Sequence, residues 1–130
     1  MPQKHSTPLI ALWGASILVV CWLSLTPNMP QPVDIKHIDL VEHLLAYTWL
    51  ALLPMRAFRT RQAAIVAAGS MVFLGAGIEI AQHFVPGRFT SWADMAANTA
   101  GVVLGVWIGE RIKEREYFRT LRQALGVKDR

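Results

Sequence analysis

The sequence is poor in two things that soluble domains use, cysteine and charge. It contains one cysteine, Cys21, so no disulfide within the chain can hold the fold together. Charged residues make up 17 % of the chain and hydrophobic residues 53 %. A single soluble domain of 130 residues cannot bury that much apolar surface. The composition therefore predicts one domain that lies in a lipid bilayer.

The chain also lacks the basic patch interleaved with aromatic residues that is typical of nucleic-acid binding. Its formal net charge is +4, but the Lys and Arg residues lie between and after the apolar runs. Such placement sets the topology of a membrane protein. We therefore expect the lipid bilayer, and not nucleic acid, as the partner of this basic charge.

Four apolar runs predict four transmembrane helices, at residues 9–26, 40–58, 62–85 and 91–109. Each run is long enough to cross a hydrocarbon core of about 30 Å at about 1.5 Å per residue. The predicted fold class is all-α, a bundle of four transmembrane helices. The basic tail, residues 110–130, has helical spacing and either continues the fourth helix or lies along the inner membrane surface.

A ladder of small residues follows one face of the fourth run, at Ala97, Gly101, Gly105 and Gly109. A spacing of four places these residues above one another on a helix. Small residues on one face let two membrane helices approach closely. The ladder therefore predicts a tight helix–helix contact.

Lys and Arg residues are distributed unequally between the two sides of the predicted bundle. Eleven of the thirteen fall on the side of the N-terminus, the second loop and the tail, while Lys36 and Arg88 fall on the other. Because basic residues accumulate in cytoplasmic loops, we expect both termini in the cytoplasm. The loops around Lys36 and Arg88 would then face outward.

Polar side chains that are costly in a membrane gather at the outward end of three predicted helices. A charge at mid-bilayer costs about 3 kcal/mol, so such residues generally face a bundle interior or a wet cavity. We predict that they line a binding pocket with these members: Asp39, His43, Tyr47, Glu79, Gln82, Arg88, Asp94 and Asn98. In this pocket, Arg88 would contact an anionic group, while Gln82 and Asn98 would donate hydrogen bonds.

Helix capping is an alternative interpretation for two positions. Asp39-x-x-Glu42 and Ser91-x-x-Asp94 both match the capping-box pattern, which needs no ligand. Glu79 has no such alternative. It lies a full turn inside an otherwise apolar helix and needs a partner or a proton.

The polar residues form an ordered set of motifs that resembles the VanZ-like family of small bacterial membrane proteins. The motifs are Asp39-Leu-Val-Glu-His43-x-x-x-Tyr47, Glu79-x-x-Gln82-x-x-x-Pro-Gly-Arg88 and Ser91-x-x-Asp94-x-x-x-Asn98-x-x-Gly101. The resemblance implies an inner-membrane protein. The family is named for a protein associated with resistance to the glycopeptide teicoplanin, although most members have no assigned biochemical activity. Family members commonly have Lys after the first Asp, where this chain has Leu40.

Three classes of function remain open from the sequence. The preferred one is a binding module without catalysis, whose ligand is an envelope lipid headgroup, a cell-wall precursor or a glycopeptide-like molecule. The second is an intramembrane enzyme that uses His43 as general acid or base, oriented by Glu79 or Asp94. The third is a structural role, in which the polar groups only join helices.

No cofactor is expected from the sequence, and no metal site is predicted. The four candidate ligands His43, Glu79, His83 and Asp94 lack the close paired spacing of zinc motifs. The oligomeric state is left open.

Overall fold

The computed structural model of the protein describes residues 6–27, 38–88 and 91–126. These residues form four helices and no strand: α1 (Thr7–Leu25), α2 (Ile38–Ala57), α3 (Arg61–Gln82) and α4 (Trp92–Ala124). The predicted all-α fold with four helices is confirmed. Four basic residues used for the topology prediction lie outside the described residues: Lys4, Lys36, Lys128 and Arg130. Most of the proline-containing linker after α1 also lies outside them.

The first three helices are long and apolar enough to cross a membrane. Their most apolar windows have mean hydropathies of 2.1, 1.2 and 1.9 in chain order. Helix α4 is less apolar, because its first two turns carry Asp94 and Asn98 and its second half is charged. Its crossing of the bilayer at 91–109 therefore stays a prediction.

Helix α4 continues without a break for 33 residues, so residues 110–124 of the basic tail extend the fourth helix. Two ion pairs hold this extension to the bundle. The Arg56 guanidinium donates to both carboxylate oxygens of Glu116 at 2.8 Å, and Arg61 donates to Glu110 at 3.0 Å. The Arg56 guanidinium lowers the pKa of the Glu116 carboxyl, because the charged carboxylate accepts its hydrogen bonds.

Helices α1 and α2 run antiparallel, and one of their contacts is a hydrogen bond to a carbonyl that a proline in α2 leaves without a donor. Pro54 has no N–H to donate to the carbonyl of Leu50, one turn earlier. The indole of Trp13 donates to that carbonyl instead, at 2.9 Å. The backbone N–H of Ser6 also donates to the carbonyl of Ala57 at 3.1 Å, which places the start of α1 beside the end of α2.

Three close contacts of glycines in α4 show that this helix runs parallel to α2 along the glycine ladder. A Cβ added at Gly101 would lie 2.5 Å from the carbonyl oxygen of Leu44. A Cβ at Gly105 would meet the carbonyl oxygen of Thr48, and one at Gly109 would lie 2.5 Å from Cβ of Met55. The predicted close packing of this ladder is confirmed, and its partner is α2.

These directions give the bundle two chemically different ends. The polar end contains residues 38–43, 79–88 and 91–98. The basic end contains residues 54–61 and 110–124. Each candidate site residue in α2, α3 and α4 thus lies at or near the polar end, and the arginines that pair with Glu110 and Glu116 lie at the other.

We expect Gly105→Ala to destabilise the protein, because its methyl group would collide with the α2 backbone at Thr48. Overpacking of this kind costs about 1–3 kcal/mol. The matched control is Gly77→Ala, since a Cβ there meets nothing within 4 Å. Alanine is the better helix former, so the control should melt at or above the wild-type temperature. Thermal unfolding in detergent tests this, and equal melting temperatures for the two variants would contradict the glycine contact.

Candidate polar site

Three helices bring together one imidazole and two carboxylates at the polar end. His43 of α2, Glu79 of α3 and Asp94 of α4 each offer one ligand atom, and these atoms all lie within 4.8 Å of one another. Helical periodicity explains the inward position of His43 and Tyr47, which are one turn apart. Asp94 and Asn98 have the same spacing in α4.

The imidazole of His43 is oriented by a hydrogen bond to the next helix. Its Nδ1 lies 2.8 Å from Oδ1 of Asn98. A carboxamide oxygen only accepts, so in this arrangement Nδ1 carries the proton and donates. The lone pair of the neutral ring is then on Nε2, which remains free to accept a proton or to bind a ligand.

The carboxylate of Glu79 is the most constrained group of the site. The residue is 4 % exposed, and neither carboxylate oxygen has a hydrogen-bond partner among the described residues. The backbone amide of Ser91 approaches it without forming a bond of good geometry. A buried carboxylate without a partner costs several kcal/mol, so this position needs a proton, a cation or a ligand that donates hydrogen bonds.

Two further buried polar atoms lie beside the cluster. The hydroxyl of Tyr47 and Nδ2 of Asn98 have no hydrogen-bond partner within the described ranges. Both residues are buried, with only 2 % of their surface exposed. Both atoms lie 3.2 Å from the point where a Cβ of Gly75 would be. Gly75 precedes Glu79 by one turn, and sequence reasoning missed it, although that spacing was visible in the sequence.

Asp39 lies outside the cluster, and Ser91 caps a helix beside it. Asp39 is exposed in the first turn of α2, which already begins at Ile38. Ser91 is the N-cap of α4, and its hydroxyl accepts from the backbone N–H of Asp94 at 3.1 Å. The capping interpretation thus describes Ser91. The predicted binding role of Asp39 has no contact in the cluster that would support it.

Gln82 and Arg88 are directed at the end of α1. The Gln82 amide donates to the carbonyl of Ser24 at 2.9 Å. Arg88 donates through Nε to the carbonyl of Thr26 at 3.1 Å and through Nη2 to that of Leu23 at 2.9 Å. The last carbonyls of a helix lack intrahelical partners, and a cation there also interacts favourably with the helix dipole. These two residues therefore fasten α1 to the end of α3.

A groove between α3 and α4 leads from the outer surface of the bundle to Glu79. Its volume is about 400 Å³, and its lining is mostly apolar: Glu79, Ile80, His83, Phe84, Ser91, Trp92 and Met95. Ile80, Phe84 and Trp92 are 65–86 % exposed. Sequence reasoning missed the groove, because exposed apolar residues on a membrane helix look like ordinary lipid-facing positions.

The site thus combines an apolar groove with a polar inner end that carries two carboxylates. The inner end can accept hydrogen bonds through Glu79, donate them through Asn98, and accept a proton or bind a ligand at His43 Nε2. Its charge is acidic, so it suits a ligand with hydroxyl or amino groups, or a cation, better than a bare anion.

A comparison with protein families matches the chain to a family model, while no curated protein and no solved structure matches it. The family is VanZ/LLP1, and its model covers residues 7–113, which include all four helices except the charged end of α4. All three motifs that carry the resemblance in the sequence lie within this range.

We expect Arg88→Met to loosen the end of α1, because it removes two charge-assisted hydrogen bonds worth about 1.5–3 kcal/mol each when fully formed. Gln82→Met should have a smaller effect of about 1 kcal/mol. Hydrogen exchange in detergent should show faster exchange of the backbone amides in the last two turns of α1. The control is His83→Gln, an exposed position between the two. Wild-type protection of α1 in Arg88→Met would show that these bonds do not hold it.

Proposed function

Because this chain belongs to the VanZ/LLP1 family, whose model covers residues 7–113, we propose that it is a membrane protein that binds a lipid headgroup of the cell envelope in the site at its polar end. The groove between α3 and α4 carries the proposal. It is open to lipid along exposed apolar side chains and ends at a buried carboxylate, Glu79. A lipid has both of the matching parts, an acyl chain and a polar head.

The residues that would contact the ligand follow from the groove. Ile80, Phe84 and Trp92 would contact acyl chain, since they line the open part. Glu79 would accept hydrogen bonds from hydroxyl or amino groups of the head, and Nδ2 of Asn98 would donate one to an oxygen atom of the head, because these buried atoms have no partner among the described residues. Tyr47 would take part through its hydroxyl. Gln82 and Arg88 would act indirectly, by holding α1 beside the site.

An intramembrane enzyme that acts on such a headgroup is the second candidate. The hydrogen bond from His43 Nδ1 to Asn98 favours it, because it leaves Nε2 as a base beside two carboxylates. Chemical conversion of the retained lipid by wild-type protein, and its loss in His43→Gln, would support this candidate. A lipid that is retained unchanged supports binding alone.

The orientation of the protein is part of the proposal. We propose that the basic end faces the cytoplasm of a bacterial cell and that the polar end faces outward, where envelope lipids and cell-wall precursors are exposed. The arginines of the described basic end support this orientation through the positive-inside rule. A contribution to teicoplanin resistance follows only from the family resemblance, and drug susceptibility of a deletion strain measures it.

We expect Ile80→Trp to fill the groove and to abolish retention of a co-purified lipid, measured by native mass spectrometry of the detergent-extracted protein. The matched control is Val66→Trp, on the same helix. Ile80 and Val66 are 65 % and 66 % exposed, but only Ile80 lines the groove. Retention should be unchanged in the control. Loss in both variants, or in neither, would contradict specific binding in the groove.

We expect a C-terminal fusion to green fluorescent protein to be fluorescent, and a C-terminal fusion to alkaline phosphatase to be inactive. Green fluorescent protein matures in the cytoplasm, whereas the phosphatase requires the oxidising periplasm to form its disulfides. The control is a phosphatase fusion truncated after residue 88, at the polar end, which should be active. The opposite pair of results would place the polar end inside the cell.

A further inference from the structure

We infer that His43, Glu79 and Asp94 form a binding site for one divalent transition-metal ion. The three side chains come from three different helices, and their ligand atoms already lie within 4.8 Å of one another. The site goes beyond the proposed lipid binding and does not require it. A bound metal ion would add positive charge to the acidic inner end of the groove.

The ligand set matches the chemistry of such ions. An imidazole nitrogen and carboxylate oxygens bind Zn²⁺ at about 2.0–2.2 Å, so two ligand atoms around a tetrahedral ion lie about 3.3–3.6 Å apart. The three atoms need to move by only a fraction of their present separation to surround one ion. One imidazole with two carboxylates suits Zn²⁺ or Mn²⁺ better than Ca²⁺ or Mg²⁺, which prefer oxygen ligands alone.

The hydrogen bond between His43 and Asn98 has the form of an outer-shell contact in metal sites. A histidine that binds a metal usually donates its other ring N–H to a carboxylate, carbonyl or water, which fixes the tautomer and the ring orientation. Nδ1 of His43 makes this bond to Oδ1 of Asn98 at 2.8 Å. Nε2 is therefore the nitrogen that would bind the ion.

The burial of Glu79 is the second, independent observation. Its carboxylate is 96 % buried, without a hydrogen-bond partner in the described part of the chain, and a second carboxylate, Asp94, lies beside it. Two neighbouring carboxylates repel each other unless a cation or a proton lies between them. The ion pairs of Arg56, Arg61 and Arg111 lie at the basic end, and Arg88 donates hydrogen bonds to α1.

The remaining unpartnered atoms fit a metal ion that keeps a water molecule. The Tyr47 hydroxyl and Asn98 Nδ2 lie next to the cluster and can bond to such a water. Three protein ligands leave a fourth position open, as in catalytic zinc sites. Glu79 also lines the groove, so an ion bound to it lies at the inner end of that groove.

The test uses the full-length protein in detergent, treated with a chelator, dialysed and titrated separately with Zn²⁺ and Mn²⁺. We expect one equivalent of one of these ions, measured by calorimetry and by elemental mass spectrometry, and a rise in melting temperature on binding. His43→Gln and Asp94→Asn should weaken the affinity at least about tenfold. Glu42→Gln is the matched control, since Glu42 is exposed beside His43 in α2 and does not line the groove, and it should bind like the wild type.

Glu79→Gln separates loss of the site from loss of the fold. It removes the buried charge while keeping the shape, so it should melt no lower than the metal-free wild type and should not respond to metal. Absence of stoichiometric binding to the wild type, or wild-type affinity in Glu79→Gln, would overturn the inference. Ile80→Trp should keep its metal affinity, so a failure of lipid binding and a failure of metal binding give different results.

Discussion

The contact between α2 and α4 determines the geometry of the polar end. Gly101, Gly105 and Gly109 hold the two backbones at a separation that leaves no space for a Cβ atom. At that separation His43, which precedes Leu44, and Asn98, which lies less than one turn before Gly101, come within hydrogen-bonding distance. The packing of small residues and the chemistry of the site are therefore two results of one helix pair.

The polar residues of the motifs divide into two groups with different tasks. His43, Glu79 and Asp94 face one another, and the burial of Glu79 makes its charge costly unless it is compensated. Gln82 and Arg88 instead satisfy backbone carbonyls of α1. The motif that begins at Glu79 thus supplies one carboxylate of the site and two side chains that form hydrogen bonds with α1. A loss of function on mutation does not by itself distinguish these two tasks, and measurements of α1 protection are needed beside it.

The sequence predicted the parts of the fold that depend on periodicity. Runs of apolar residues located the four helices, and spacings of four placed His43, Tyr47 and Asn98 on inward faces. The spacing failed for Asp39, because a first-turn residue at the end of a bundle can share a helical face with buried residues and still be exposed. The partners of Gln82 and Arg88 could not be predicted, since a backbone carbonyl leaves no pattern in the residue types. The groove could not be predicted either, because it depends on the gap between α3 and α4, which the residue types do not reveal.

The way α1 is attached has a consequence for how freely its sequence can vary. No residue of Thr7–Leu25 is buried, and the bonds from Gln82 and Arg88 reach its main chain. Every amino acid supplies the same carbonyl group, so exchange of one apolar residue for another along this helix leaves these bonds intact. Homologous chains should accordingly vary most in their first helix, except at Trp13, whose indole donates to the carbonyl of Leu50, and hybrids that keep this residue should remain assembled.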